Sequence, residues 1–294
     1  MFKTSILFFV VCLGLVVYIE RSHFGYLVYM YQKATNPEIK LLEDRLLVEL
    51  KSNPETFFDK FEGELEKSPK NMNTCHGMAH KLAHESFRLY GFDKSIHIAK
   101  SICGGGFIHG LIESKLGNIT DYKVLEGISG LCTENNQSCN HGIGHGLMVF
   151  TKNDFAQSLL YCDKLRPMAR SDCYDGVFMH IFDDEETGIS KSIPERSEGF
   201  SLCNRIDDTY KLSCYFYVPR VYARLENMDI RSKDLCDNLS GYYRTACIVG
   251  SGTMFGKYMY SDKANALNMC SVFGDMKAVC VEGVRNYRDF AFKK

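Results

Sequence analysis

The chain lacks tryptophan, has only six prolines in 294 residues, and carries no excess of positive charge, its formal net charge being −1. Proteins that bind nucleic acids need basic surfaces to neutralise phosphates, so this balance argues against that class. Gly-x-Ser-x-Gly, His-Glu-x-x-His and Walker-type phosphate-loop motifs are also missing. The chain does have 13 cysteines and nine histidines, and their placement is the informative part of the sequence.

The N-terminus has the composition of an export signal. Lys3 precedes an unbroken apolar run at residues 6–19, which Glu20 and Arg21 end. We predict a signal peptide or signal-anchor helix at 1–22, with an uncleaved anchor slightly favoured, and a membrane-proximal stalk or capping helix at 23–70. The protein is then exported and anchored to a membrane with its bulk in an oxidising compartment, either periplasm and cell surface or a secretory lumen. It is secreted if the signal is cleaved.

Twelve cysteines lie beyond the apolar run, an even number that predicts disulfides in an exported protein. Three pairs are eleven residues apart, Cys162/Cys173, Cys203/Cys214 and Cys236/Cys247, and one pair, Cys270/Cys280, is ten apart. The first members of these pairs recur after 41, 33 and 34 residues, which is the period of a helix–turn–helix repeat.

Glycine recurs with the cysteines. It follows the second cysteine by three residues in five units, at Gly106, Gly142, Gly176, Gly250 and Gly283. We therefore predict an all-α fold over residues 71–294, an αα-hairpin repeat array of about seven cysteine-marked units, either a solenoid or a closed α/α array. Cysteines this far apart can meet across a helical hairpin. The predicted disulfides are Cys75–Cys103, Cys132–Cys139, Cys162–Cys173, Cys203–Cys214, Cys236–Cys247 and Cys270–Cys280.

In period and cysteine pairing, residues 70–290 resemble the disulfide-bridged tetratricopeptide-like repeats of cysteine-rich secreted proteins. The tetratricopeptide consensus of Trp, Leu-Gly, Tyr and a closing Pro is absent from this chain. The resemblance therefore implies an architecture and no functional residues.

The pattern Gly-x-x-His follows a cysteine three times, at 77–80, 106–109 and 142–145. Residues three or four apart on a helix share a face, so these histidines are predicted to line one surface of the array. His76, His80 and His84 are also spaced by four, as are His141 and His145. This geometry suits chelation of a divalent transition metal such as zinc, iron or copper. The predicted metal ligands are His80, His84, His109, His141, His145 and His180, with Glu113 as a further candidate.

Three residues are candidates for catalytic roles. Glu113 and Glu85 each lie ten residues after a cysteine and can act as proton acceptors, although a solvated helix face explains them equally well. Arg220 takes the place of the histidine in the Cys214 unit and can hold an anionic group of a substrate. A salt bridge is the alternative explanation for Arg220.

The histidines themselves have a structural alternative, because an inherited repeat position can serve packing alone. The later units argue against it, since Gly250 and Gly283 keep the glycine without a histidine three residues on. We expect an extracytoplasmic metal-binding protein, most simply a metal-dependent hydrolase or oxidoreductase of unknown substrate. The alternatives are a protein that sequesters metal or haem, and a non-catalytic scaffold that binds a protein or peptide. No nucleic-acid partner is expected.

Overall fold

The structure, a computed structural model, describes residues 37–67, 74–119, 127–128, 130–132, 136–183, 198–223 and 225–291. The chain divides into two compact units, Met1–Arg45 and Leu46–Lys294. The predicted signal or anchor at 1–22 lies outside the described residues. Among the residues that are described, no helix combines the length and apolar character needed to cross a membrane.

The described residues form helices and turns without any strand, which confirms the prediction of an all-α fold. The α-helices are α1 (Pro37–Ser52), α2 (Phe57–Lys67), α3 (Cys75–Ile98), α4 (Gly106–Gly117), α5 (Gln137–Phe150), α6 (Phe155–Cys162), α7 (Pro167–Phe182), α8 (Glu198–Arg205), α9 (Asp208–Tyr217), α10 (Met228–Asp237), α11 (Gly241–Tyr258), α12 (Lys263–Met269) and α13 (Lys277–Ala291). Short 3₁₀ turns lie at Cys103–Gly105, Val218–Tyr222 and Cys270–Met276.

Local sequence explains where several helices begin. The side chain of Asp154 accepts a hydrogen bond from the backbone N–H of Gln157 at the start of α6, and Asp262 caps α12 in the same way through Asn265. Such caps satisfy backbone donors that the first helical turn leaves unpaired. Gly274 has a φ of 57°, which favours glycine and interrupts the turn at Cys270–Met276 before α13 begins.

Within the larger unit, seven helices pack in chain order, each against the next: α3, α4, α5, α7, α9, α11 and α13. The last of them, α13, packs against the turn Cys103–Gly105 that precedes α4, so the series of contacts closes on itself. The shorter helices α6, α8, α10 and α12 form hairpins with the helix that follows each of them. The internal duplication of these hairpins stays a prediction from the sequence.

All six predicted disulfides are present, with Cα–Cα distances of 5.5 to 5.7 Å. Four of them tie a short helix or turn to the helix after it, as in Cys162–Cys173 between α6 and α7. These four cystines are buried in one apolar cluster that extends from Ile108 of α4 to Val284 of α13. Six covalent links of this kind indicate an oxidising, extracytoplasmic environment.

Candidate metal centre

Six histidine rings meet in the interior where α3, α4, α5 and α7 pack together. Neighbouring ring centroids are 4.8 to 5.7 Å apart. Each residue is at most 9 % exposed. They are His76 and His80 of α3, His109 of α4, His141 and His145 of α5, and His180 of α7. We call these six residues, together with His84 and Glu113, the histidine cluster.

Glycines bring the histidines together by letting backbones approach closely. A Cβ added at Gly106 would lie 2.7 Å from the carbonyl oxygen of His76, and one at Gly110 would lie 2.7 Å from that of His80. At Gly176 the corresponding distance, to the carbonyl oxygen of His141, is 2.0 Å. Each glycine thus lets its helix pack closely against the preceding helix, at the turn that carries a histidine. At each of these glycines the space that a side chain would take is filled by the backbone of the neighbouring helix.

His76 and His80 face each other with their Nε2 atoms 3.2 Å apart. The Nδ1 atom of His76 donates to the carbonyl oxygen of Cys103 at 2.6 Å, and Nδ1 of His80 donates to Oε2 of Glu113 at 3.1 Å. In a neutral ring each Nε2 then carries a lone pair, so the two lone pairs point at a shared position. Two ligand nitrogens on a tetrahedral zinc ion lie about 3.3 Å apart, because each is 2.0–2.1 Å from the metal.

His109 completes this arrangement. Its ring is 2 % exposed, and neither ring nitrogen has a hydrogen-bond partner among the described residues. Leaving a buried polar atom without a partner costs roughly 1–3 kcal/mol, which a bound ion would offset. One ligand atom from each of His76, His80 and His109 lies within 4.8 Å of the others. These three residues, which we call the cavity triad, fit a transition metal.

Three further groups of donors satisfy the same 4.8 Å limit. They are His109 with His141 and His145, His80 with His84 and Glu113, and Glu113 with His145 and His180. We call the last of these, Glu113, His145 and His180, the inner triad. His141 also has its Nε2 atom 3.1 Å from the sulfur of Met179, a soft donor.

Burial sets the charge state of the cluster. Burial disfavours the charged imidazolium form, and repulsion between neighbouring rings adds to this effect. Together they lower four pKa values well below the usual range, those of His76, His109, His141 and His145. These rings are therefore neutral near pH 7, which is the state that binds metals.

Glu113 is the carboxylate at the centre of the cluster and is 5 % exposed. Burial opposes its ionisation, but the charge of His80 and the hydrogen bonds from His80 and His84 outweigh burial, and its pKa falls well below the usual range. Its Oε2 atom accepts from both of those rings, and its Oε1 atom lies 3.7 Å from Nδ1 of His145. A metal-bound histidine commonly donates its other ring nitrogen to a carboxylate in this way.

A cavity of about 290 Å³ opens beside the cavity triad. Its lining includes His76, His109 and His141 together with the cations Arg220 and Lys257. The rest of its wall is formed by Gly104, Gln137, Ser138, Asp175, Met179, Phe216, Tyr217, Thr253, Asn286 and Tyr287. The cavity therefore gives a small molecule access to two of the three triad histidines.

The two cations of the cavity belong to a buried ion network. Oδ2 of Asp183 accepts from Arg220 at 2.9 Å and from Lys257 at 2.6 Å, and its Oδ1 accepts from the hydroxyl of Tyr258 at 3.0 Å. Although burial opposes ionisation of Asp183, the two cations outweigh it and lower its pKa well below the usual range. The guanidinium of Arg220 also lies 4.5 Å from the centre of the Tyr217 ring.

The structure brings together all six predicted ligands and Glu113, with His84 at the edge, where its side chain is 47 % exposed. Glu85 is not among them, because it points outward and pairs with Arg88 at 2.7 Å. Arg220 forms the salt bridge that was the alternative explanation for it, and it also lines the cavity. The prediction as a whole omitted His76 from the ligands.

Two cavity residues gave no signal in the sequence. Lys257 is 1 % exposed, and a lysine is ordinarily assigned to the surface until its partner is known. Asp175 lies on α7 two residues after a cysteine, and burial raises its pKa to about 7. The spacing of His76 to His80 was the signal that could have identified His76.

Comparison of the chain with protein-family models, with curated proteins and with solved structures gives no match. Function is therefore inferred from the site alone.

Proposed function

We propose that this protein is a metal-dependent enzyme of an oxidising, extracytoplasmic compartment and that it acts on a small anionic molecule. One observation carries the proposal. The cavity triad places three buried imidazoles, with ligand atoms within 4.8 Å of one another, beside a cavity of about 290 Å³. Catalytic metal sites combine three protein ligands with an open position, whereas structural sites are closed by a fourth ligand.

In this proposal three histidines are the metal ligands and two further groups fix their orientation. His76, His80 and His109 hold the ion, and Glu113 orients His80 through the hydrogen bond at Nδ1. The carbonyl of Cys103 fixes His76 in the same manner. Zinc, iron and copper all suit a set of neutral imidazoles. Zinc would supply Lewis-acid chemistry for a hydrolase, and iron or copper would supply redox chemistry for an oxidoreductase.

The two cations that line the cavity support an anionic substrate. A guanidinium has five donors and an ammonium has three, so Arg220 and Lys257 can bind a carboxylate or phosphate while they hold Asp183. Asp175 lines the same cavity, and its raised pKa of about 7 suits a group that exchanges a proton with substrate near neutral pH. Glu85 has no role in this scheme.

The two alternatives from the sequence receive less support. In a scaffold the histidines would serve packing alone, yet both ring nitrogens of His109 are buried without a hydrogen-bond partner among the described residues, which packing does not explain. A sequestering protein has no use for a cationic cavity beside the metal ligands. We retain two finer predictions as part of the proposal: the hairpins are tandem copies, and the N-terminal apolar run attaches the protein to a membrane.

Metal content tests the proposal. The full chain is produced in an oxidising host, purified without chelators and analysed by elemental mass spectrometry beside two variants. His76→Gln removes a cavity-triad ligand, and His97→Gln changes an exposed histidine on the same helix. We expect bound zinc, iron or copper, about one equivalent less in His76→Gln, and no change in His97→Gln. Wild-type protein that binds none of these ions, even after reconstitution, overturns the proposal.

A further inference from the structure

We propose that the histidine cluster holds two transition-metal ions in separate sites, one in the cavity triad and a second in the inner triad of Glu113, His145 and His180. The inference rests on the proposed function for the first ion and adds the second. The two triads have no residue in common, and each brings three ligand atoms within 4.8 Å of one another. The eight donor residues of the cluster exceed the four ligands that a tetrahedral ion takes.

The cluster can be divided into two sites in a second way as well. In this second division one ion is held by His109, His141 and His145, and the other by His80, His84 and Glu113. Hydrogen bonds favour the first division. His76 and His80 each donate from Nδ1, which leaves both Nε2 atoms for one ion. In the inner triad, Nε2 of His180 lies 3.2 Å from Oδ1 of Asn153 and can donate to it, which leaves Nδ1 for the other ion.

The two residues that accept these hydrogen bonds, Cys103 and Asn153, both have an unusual backbone conformation. Cys103, whose carbonyl oxygen holds His76, has a φ of 54°, and Asn153, whose amide oxygen holds His180, has a φ of 69°. Residues other than glycine seldom adopt this region, and they keep it where the surrounding structure requires it. One such residue supports a histidine in each proposed site.

Glu113 links the two sites. Its Oε2 atom accepts from Nδ1 of His80, a ligand of the first ion, and its Oε1 atom faces Nδ1 of His145 at 3.7 Å. The inner triad therefore consists of two histidines and one carboxylate, a set that suits iron(II) and other borderline divalent ions. An ion there draws charge from the carboxylate that supports His80, so occupancy of the inner triad tunes the affinity of the cavity triad.

The two sites also have separate routes to solvent. His76 and His109 line the cavity, whereas Glu113, His145 and His180 do not. Beside the inner triad, His84 has a side chain that is 47 % exposed, and its Nε2 atom lies 3.2 Å from Oε2 of Glu113. His84 can pass an ion from solvent to the inner triad without use of the cavity.

Stoichiometry tests the inference. The full chain is stripped with a chelator, titrated with Zn²⁺ and analysed by elemental mass spectrometry and calorimetry. We expect two equivalents in the wild type and in His97→Gln, and one equivalent in either His76→Gln or His180→Gln. The second division of the cluster is tested in parallel with His84→Gln and His141→Gln, each of which we expect to retain two equivalents.

The contradicting outcomes differ from those of the proposed function. One equivalent in the wild type that His180→Gln retains and His76→Gln loses overturns the second site and leaves the enzyme proposal standing. Loss of both ions in every single variant overturns two separate sites. If His84→Gln and His141→Gln each lose one equivalent of Zn²⁺ while His76→Gln and His180→Gln retain both, the assignment of ligands to the two sites is wrong. If His180→Gln does not fold, one equivalent in the wild type is enough to reject the inference.

Discussion

Two helix pairs of the larger unit, α5 with α7 and α11 with α13, pack through the same glycine contacts. They differ in the side chains that lie near those contacts. Between α5 and α7, a Cβ at Gly144 would lie 2.2 Å from the carbonyl oxygen of Cys173. Between α11 and α13, a Cβ at Gly252 would lie 2.1 Å from that of Cys280. The reciprocal contacts match as well, since Gly176 faces the carbonyl of His141 at 2.0 Å and Gly283 faces that of Val249 at 2.3 Å.

The side chains around these contacts are not the same. Three residues after Gly142 comes His145, and three residues after Gly250 comes Thr253. The second region thus builds the same close helix pair without imidazoles. Glycine belongs to the scaffold in both regions, whereas the histidines of α3, α4, α5 and α7 are dispensable for it. Their burial as polar groups calls for a functional explanation, and metal binding supplies one.

The largest effect is expected at the ion network that joins the two regions. Asp183→Ala leaves the buried cations Arg220 and Lys257 without their shared carboxylate, so the free energy of unfolding should fall by about 3–5 kcal/mol. Denaturant unfolding with the disulfides intact measures it. Asp237→Ala is the matched control, because Asp237 also pairs with a lysine and an arginine, Lys233 and Arg244, but is 35 % exposed.

The control should lose about 1 kcal/mol or less, since exposed ion pairs contribute little. Equal losses for Asp183→Ala and Asp237→Ala would contradict the role assigned to burial.

The next largest effect is expected at the close glycine contacts, where stability and metal binding can be measured separately. Gly176→Ala and Gly283→Ala each place a methyl group against a backbone carbonyl, so each should lower the free energy of unfolding by about 3 kcal/mol. Only Gly176→Ala should also reduce the bound metal, because it displaces α7 from the helix that carries His141 and His145. Unfolding and elemental analysis of the two purified variants provide the measurement.

Gly63→Ala is the control, since an added Cβ there meets nothing within 4 Å. On α2 it should stabilise by about 0.5–1 kcal/mol through helix propensity. A loss of metal in Gly283→Ala as large as in Gly176→Ala would contradict the separation of the two regions.

Acid should weaken the histidine region selectively in the metal-free protein. The pKa values of His76, His109, His141 and His145 are lowered by burial, so the unfolded chain binds more protons than the folded one below about pH 6.5. Their stabilising contribution is complete above that pH. It is lost as the pH falls, by up to about 1.4 kcal/mol per pH unit for each ring that stays neutral.

Asp175 acts in the opposite direction, because its raised pKa of about 7 makes the folded state gain protons as the pH falls from 7 to 4, but one carboxyl opposes four imidazoles. Hydrogen exchange at pH 7.5 and 5.5 provides the measurement. Protection should decrease in α3, α4 and α5 before α11 and α13, which contain no histidine. Equal loss of protection in both regions would be the contrary result.

Repeat spacing made much of the fold and the site predictable. Cysteines ten or eleven residues apart can meet only if the chain reverses between them, so the helical hairpins and four of the six disulfides followed from that spacing. The convergence of His80, His109 and His145 followed from their equivalent positions after a glycine. The helix through the glycine-rich stretch CNHGIGHG is also present, as α5.

Glu85 lies outside the histidine cluster, and it was predicted because its position was counted from the cysteine. In the first unit the glycine, Gly77, comes one place earlier, so the histidine also comes early, at His80. The residue four places after His80 is His84, which shares its face, and Glu85 is turned about 100° away on the helix. Counting from the histidine would have matched His84 with Glu113.

Other features depend on contacts that spacing does not specify. The carbonyl that accepts the hydrogen bond of His76 belongs to Cys103, whose positive φ no local residue pattern predicts. The place of Lys257 depends on Asp183, which is 74 residues away in the chain. Such long-range pairs decide which polar residues a core accepts, and they become visible only in the folded chain.

The most direct test of the metal centre is anomalous diffraction, at the absorption edge of the bound metal, from crystals of the metal-loaded protein. We predict a peak about 2 Å from a ring nitrogen of each of His76, His80 and His109, and no peak at the matching position between α11 and α13. Metal-loaded crystals with no peak at the cavity triad would show that these three histidines do not bind the metal.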